Sequence, residues 1–243
     1  MSVKENKNRI GAISSSKAHL LMAKGTGKKD FSVACYTYLD GLKRERRFGK
    51  SLDEDFYSRP TSWGNMMEKY VSDNKISFEF KHIGDTTFNH QQVNGWVGTP
   101  DFIGADTVAE LKCYYPDKFT SYAECLELES VEDLKKNFKA EYWQIVSNTC
   151  VLDLEYGAAC LFMPKQDDIM NVAKYVEDYD GSDAWKYRFI HEEIVADPDN
   201  PSIPFIPTES TYKDFYFFKF KIPQEDKEIL TERIKLGIDY ING

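Results

Sequence analysis

The stretch GTPDFIGADTVAELKC, residues 98–113, sets Asp101 behind a proline and brings Glu110 and Lys112 shortly after a Gly-Ala-Asp-Thr turn. Alternation along WVGTPDFI puts Val97, Thr99, Asp101 and Ile103 on one side of an extended strand. Along VAELKCY, Val108, Glu110, Lys112 and Tyr114 share a side. A two-residue loop at Ala105-Asp106 and a longer one from Gly104 to Thr107 give the same pairing, with Asp101 opposite Glu110. Directly paired residues have Cβ atoms about 4.5–5.5 Å apart, so two carboxylates face each other with Lys112 on the same surface. Like charges at that separation are unfavourable, and one carboxyl takes up a proton unless a cation sits between them. A divalent ion removes the conflict. Hard oxygen ligands that leave room for water and phosphate oxygens suit Mg2+ or Mn2+ rather than zinc. Beside a water on that ion, Lys112 can favour the hydroxide form and offset negative charge developing in a transition state. Metal-assisted hydrolysis of a phosphodiester needs this inventory.

The competing reading is a surface hairpin with Glu110 and Lys112 solvated and Asp101 opening a turn, because the pattern is short. Its context argues against that: Asp101 is embedded among apolar residues, and the strand around Leu111 and Cys113 is apolar on its other face. Asp106 reads as a turn former, since Gly-Ala-Asp-Thr is ordinary turn chemistry.

The hairpin has to be held by other elements. SRPTSWGNMMEKYVSD predicts a helix capped by Ser62, burying Trp63, Met67 and Tyr70 and presenting Gly64 and Glu68 on a neighbouring face. Upstream, SSSKAHLLMA (14–23) predicts a short helix capped by Ser14, Ser15 or Ser16 and stopped by Gly25 to Gly27. FSVACYTYLDGLKRERRF fits strand or helix and is read as helix. ISFEFKHI and TTFNHQQV read as strands, and the hairpin begins at Gly95 or Trp96. From about Ser130 to Leu152 the pattern is helical, with Leu134, Phe138, Tyr142 and Ile145 on one buried side; GAACLFMP (157–164) reads as a buried strand. Residues 165–210, acidic and Pro-bearing, read as a long surface excursion. The chain closes with the alternating strand DFYFFKFKI and a helix after Pro223 that aligns Leu230, Ile234, Ile238 and Ile241.

With 243 residues, 15 Tyr and 16 Phe, the chain can bury one sizeable core and is no disordered polymer. The charged N-terminus MSVKENKNRIGAISSS lacks the apolar stretch of a secretory signal, and no run is long enough to cross a bilayer; a cytoplasmic location is expected. Five scattered cysteines form no C-x-x-C pair, which argues for reduced thiols rather than a disulfide framework or zinc site. The four histidines have no metal-ligand spacing and read as structural or surface residues. Net charge of −9 is the wrong overall sign for a nucleic-acid partner. Locally, KRERRFGK carries Lys43, Arg44, Arg46, Arg47 and Lys50, with Lys24, Lys28 and Lys29 just before. That run is either a solvated face or a strip that guides a polyanion.

Pro100-Asp101 and Glu110-Leu111-Lys112 resemble the two halves of the signature of the PD-(D/E)xK nuclease superfamily. The branch of lambda-type exonucleases and YqaJ-like viral recombinases, with RecB-like nuclease relatives, has an upstream helix with a Gly followed by a Glu. Here W-G-N-M-M-E supplies Gly64 and Glu68. The branch also has a Gln-bearing helix and a strand after the E-x-K strand, matched by EYWQIVSNTCVLDLEYGAACLFMP with Gln144. The similarity spans roughly residues 10–165 and returns in the closing strand and helix. It implies an α/β restriction-endonuclease-like core, a central mixed β-sheet flanked by helices, in one domain over 1–243 with a peripheral insertion at about 165–210.

Position by position, the resemblance implies that Asp101 bridges metal and that Glu110 ligates it with help from the Leu111 carbonyl. Lys112 would orient or activate the attacking water. Glu68 would be a further acidic ligand, direct or through water, and Gln144 would position Lys112 or the substrate phosphate. The expected cofactor is Mg2+, with Mn2+ substituting. No iron-sulfur cluster is expected, because no cysteine follows Cys160. One departure stands out: relatives often have an aromatic residue three positions before the Gln, where this chain has Glu141.

The resulting expectation is a metal-dependent deoxyribonuclease, a lambda-type exonuclease that resects double-stranded DNA ends for recombination, in the host cytoplasm if viral. The resemblance further implies a single-strand annealing protein as partner and a homo-oligomeric ring around DNA, whose lining alone need be basic; no membrane is involved. An endonuclease of the same superfamily and a non-catalytic nucleic-acid-binding module with the same fold are the alternatives.

Overall fold

In a computed structural model, the structure describes residues 9–27, 29–52, 58–77, 79–84 and 86–243. The charged residues 1–8, Lys28 and Phe78, which entered the sequence expectations, lie outside them. The strands are β1 (Ile13–Ser14), β2 (Lys81–His82), β3 (Phe88–Asn89), β4 (Trp96–Gly98), β5 (Phe102–Ile103), β6 (Thr107–Lys112), β7 (Tyr156–Phe162) and β8 (Phe215–Lys221). The helices are α1 (Ala18–Met22), α2 (Val33–Phe48), α3 (Arg59–Asn74), α4 (Pro116–Glu127), α5 (Val131–Asn137), α6 (Lys139–Leu152), α7 (Ile169–Asp178), α8 (Arg188–Ala196) and α9 (Gln224–Asn242).

The main sheet has the order β2-β5-β6-β7-β8 and is mixed: β6 and β7 run parallel, and the other pairs are antiparallel. A parallel neighbour needs a long crossover, and α4, α5 and α6 supply it between β6 and β7. One face of the sheet packs with α6 and α9 in a cluster that includes Tyr142, Ile145, Ala159, Leu161 and Ile234. The other face packs on α3, α7 and α8, where Trp63, Met66 and Met67 are fully buried against Ala109, Ala158 and Cys160. Burying each of those methionines contributes about 1.5–3 kcal/mol.

The sheet does not run straight through the Pro-Asp stretch, as the sequence alternation implied. β4 belongs to a second, three-stranded sheet with β1 and β3, and the chain changes sheets across Thr99 to Asp101. Pro100 has no N–H to donate to a ladder, so it suits the break. The expected strands ISFEFKHI and TTFNHQQV shrink to the two-residue β2 and β3.

The helix starts also shift. Ser58, not Ser62, caps α3 by accepting from Thr61 N, and Ser62 is buried within the helix. The Ser-x-x start favoured by Pro60 in the first turn explains the earlier onset. None of Ser14, Ser15 and Ser16 caps α1: Ser15 is buried and donates its hydroxyl to Val97 O over 3.2 Å. The basic run is helical, as read, and α2 ends on Gly49 in the left-handed conformation (φ 77°), whose N–H returns to Glu45 O.

The expected helix over residues 130–152 is two helices, broken at Phe138 (φ −127°, ψ 58°). Residues 165–210 were expected to skirt the surface. Instead, α7 and α8 bury Ile169, Val172, Val176, Ile190 and Ile194 in the α3-side core. Their apolar residues recur at helical spacing, a signal masked in sequence by the surrounding acidic and proline residues. Among the described residues, no helix is long and apolar enough to cross a membrane, and the five cysteines are free thiols.

Candidate active site

β5 and β6 form the predicted hairpin. Phe102 pairs with Ala109 and Ile103 with Val108, while Gly104 N donates to Thr107 O over 2.8 Å and closes a two-residue turn at Ala105-Asp106. That register, continued one step, sets Asp101 across from Glu110. Asp106 belongs to the turn, where it accepts from Thr107 Oγ1 at 2.5 Å and pairs with Lys219 at 2.8 Å.

The two carboxylates do not form a bare pair, because each has found hydrogen-bond donors. Asp101 Oδ2 accepts the Leu111 amide over 2.7 Å at the point where the ladder opens, and its carbonyl accepts from Ile83 N. Glu110, only 1% exposed, turns to α6: Gln144 Nε2 donates to its Oε2 at 2.6 Å, and Asn148 Nδ2 donates to its Oε1. Lys112 Nζ lies 3.7 Å from Glu110 Oε2 and donates to Gln144 Oε1 over 3.2 Å. Gln144 therefore links strand and helix, bonding the acid with its amide nitrogen and the ammonium with its carbonyl.

A cleft of about 410 Å3 opens over these residues, lined by Asp101, Leu111, Lys112, Cys113, Tyr114 and Tyr115 on the sheet side and by Pro60, Thr61, Gly64, Asn65 and Glu68 of α3 on the other. A Cβ at Gly64 would meet nothing within 4 Å, so this part of the α3 face borders open space. Glu68 is held by His82, whose Nε2 donates to Oε1 over 2.7 Å. Hydrogen bonding to Glu68 raises the His82 imidazole above its ordinary value.

Charge in this cluster is out of balance. Burial, helped by the Glu68 charge and opposed by Lys112, pushes the Asp101 carboxyl up to about 6. Burial and the Asp101 charge hold Glu110 well above the ordinary carboxylate range. Burial works to lower the Lys112 ammonium, but Glu110 and Asp101 outweigh it and leave the group above its usual value. A concentration of acid with too little cation is what a divalent ion relieves. Among the described residues, no three His, Cys, Asp or Glu side chains are grouped to enclose an ion by themselves. The donors that could hold one are hard oxygens, namely Asp101, Glu68, Glu110 and the Leu111 carbonyl. That set suits a small ion that keeps several of its own waters.

Glu141, where an aromatic residue is usual in the resembled branch, is buried and accepts from Tyr114 Oη at 2.5 Å and from Lys118 Nζ at 2.7 Å. It anchors the segment after β6 to α6. The basic strip lies elsewhere. Arg46 Nε donates to Gly11 O at 2.7 Å and its Nη1 to Asn242 Oδ1 at 2.6 Å, while Lys43 lies 4.2 Å over the Tyr240 ring. Arg44, Arg47 and Lys50 are exposed, and none of the five lines the cleft.

Sequence reasoning missed Asn148 and His82. Asn148 follows Gln144 by four residues and so shares its helix face, a signal that was present. His82 reaches Glu68 only because β2 pairs with β5, a long-range event without a local signature.

No protein-family model matches the chain, and no curated protein matches it. Solved structures do. The alkaline exonuclease LHK-Exo from Laribacter hongkongensis is 11% identical with a TM-score of 0.57, over 96% of this chain and 89% of that one. Its complex with dAMP gives a TM-score of 0.58 at 11% identity, over 97% and 90%. A phage-related exonuclease from Haemophilus somnus is 12% identical with a TM-score of 0.57, over 95% and 93%. The chain thus has the fold of these alkaline and phage-related exonucleases.

Proposed function

We propose that this protein is a Mg2+-dependent deoxyribonuclease of the lambda-exonuclease type, resecting duplex ends. The observation that carries the reading is the meeting of Asp101, Glu68 and Lys112 in one open cleft, with Glu110 and Gln144 directly behind Lys112. Asp101, Glu110, Glu68 and the Leu111 carbonyl would hold the cation. When bound, that ion supplies charge neutralisation at the scissile phosphate and eases deprotonation of water. Lys112, kept cationic by its acidic neighbours, orients the attacking water and offsets charge on the phosphate oxygens. Gln144 fixes the Lys112 head, and Glu68 is steadied by His82.

Under this reading the substrate is double-stranded DNA with an end. A single-strand annealing protein would take the product, a homo-oligomeric ring would enclose the duplex, and the setting would be the cytoplasm of a host. Arg44, Arg47 and Lys50 would contribute backbone contacts outside the cleft. Residues 1–243 act as one nuclease domain, and 165–210 support α3 as an addition to it.

Time courses on end-labelled linear duplex and covalently closed circles, with and without Mg2+, test the proposal. Loss of linear DNA only with Mg2+, and intact circles, is the expected result. Nicked circles would replace the exonuclease with an endonuclease. No hydrolysis with either Mg2+ or Mn2+, alongside retained DNA binding, would leave a non-catalytic binding module.

A further inference from the structure

Asn148 is fully buried within α6, a position where an amide is costly unless its polar atoms are used. Its Nδ2 is used, donating to Glu110 Oε1. Its Oδ1 has no hydrogen-bond partner. The side chain fits there because residue 98 is glycine: a Cβ on Gly98 would lie 2.2 Å from Asn148 Oδ1. A leucine there would leave no acceptor unmet. The asymmetry points to one service, performed by the nitrogen alone.

That service is directional. Glu110 has two oxygens, and Asn148 takes Oε1, the one away from Lys112. Oε2 is then the oxygen turned to Gln144 Nε2 at 2.6 Å and to Lys112 Nζ at 3.7 Å. Two amides one helical turn apart, both on α6, grip one carboxylate from two sides and leave it a single orientation. The helix is itself tied to the small sheet, since Trp96 Nε1 donates to Ser147 Oγ at 2.8 Å and Ser147 Oγ to Ser15 Oγ at 2.9 Å. The grip therefore sits on a fixed base.

We propose that Asn148 is a positioning residue that, by anchoring Oε1 of Glu110, holds the opposite oxygen toward Lys112 and Gln144 behind the cleft and so sets the affinity of the site for its divalent cation. The inference rests on the nuclease reading above. It assigns Asn148 no contact with substrate or water. Outer partners of ligating carboxylates change metal affinity about 10- to 100-fold when removed.

The test is calorimetric titration of metal-free protein with Mn2+, alongside thermal melting without metal. Asn148→Leu, which keeps the branched side-chain shape and removes the donor, is expected to weaken Mn2+ about 10- to 100-fold while the far-ultraviolet circular dichroism stays that of wild type. The kcat at saturating Mn2+ should recover most of its wild-type value, placing the defect in affinity. If the variant melts lower but binds Mn2+ within twofold of wild type, Asn148 is merely structural and the proposal is overturned. Should Asn148→Leu fail to fold, Asn148→Ser, too short to reach Glu110, is judged by the same criterion. Wild type that gives no Mn2+ binding would overturn the nuclease reading itself, an outcome distinct from a variant that binds as well as wild type.

Discussion

Lys112 Nζ donates to Gln144 Oε1 across 3.2 Å, so the ammonium on β6 is aimed by a side chain from α6. Gln144→Leu removes this aim and one donor to Glu110 without emptying the space. The expected loss in kcat is about 10- to 100-fold with little change in DNA affinity, measured by single-turnover cleavage of labelled duplex. A loss confined to KM would assign Gln144 to substrate binding instead.

Lys112→Ala should be more severe. Its head is the cation nearest both Glu110 and the cleft. Hydrolysis with Mg2+ should fall about 100- to 10,000-fold while DNA binding, followed by fluorescence anisotropy, stays within a few-fold. Equal losses in both would contradict a role confined to the chemical step.

The pH dependence follows from Asp101. Its carboxyl is raised from an ordinary 3.8 to about 6, so in metal-free protein its contribution to stability is full below 3.8 and lost as pH rises through 6. A cation needs the ionised form and competes with the proton over the same window. The increase in Tm produced by Mg2+ should therefore be larger at pH 8 than at pH 5 by differential scanning fluorimetry. A Mg2+ effect that is equal at both values counts against Asp101 as a ligand.

Gly98→Ala tests the packing behind the site. The new methyl would stand 2.2 Å from Asn148 Oδ1 and 2.9 Å from Ser15 Oγ, both on buried groups. Overpacking of this kind costs about 1–3 kcal/mol, read as a lower urea midpoint.

Asp226 offers a control remote from the cleft. It is 5% exposed and accepts from Lys135 Nζ at 2.7 Å and from Tyr142 Oη at 2.5 Å. Asp226→Ala leaves both donors without their acceptor and should cost about 3 kcal/mol in urea unfolding. Cleavage per folded molecule should be unchanged.

The placement of the candidate site residues was legible in local spacing. The strand register that sets Asp101 against Glu110 follows from period-two alternation and a turn that only a few loop lengths can close. Likewise, the 3.6-residue period in WGNMMEKY separates buried Trp63 and Met67 from Gly64 and Glu68 at the cleft. These are short-range consequences of backbone geometry, readable without knowing what packs where. Tertiary structure decided the partners. Which way Glu110 turns depends on donors that α6 brings from 34 and 38 residues away, and Glu68 meets His82 only through the pairing of β2 with β5. The sheet change at Pro100 and the burial of α7 and α8 are likewise settled by competition among many surfaces for one core. α6 is the plainest case. Its Ser147, Asn148 and Thr149 are polar by type yet fully buried, because β4, β6, β7 and the segment from Ser15 to Met22 pack against that face of the helix.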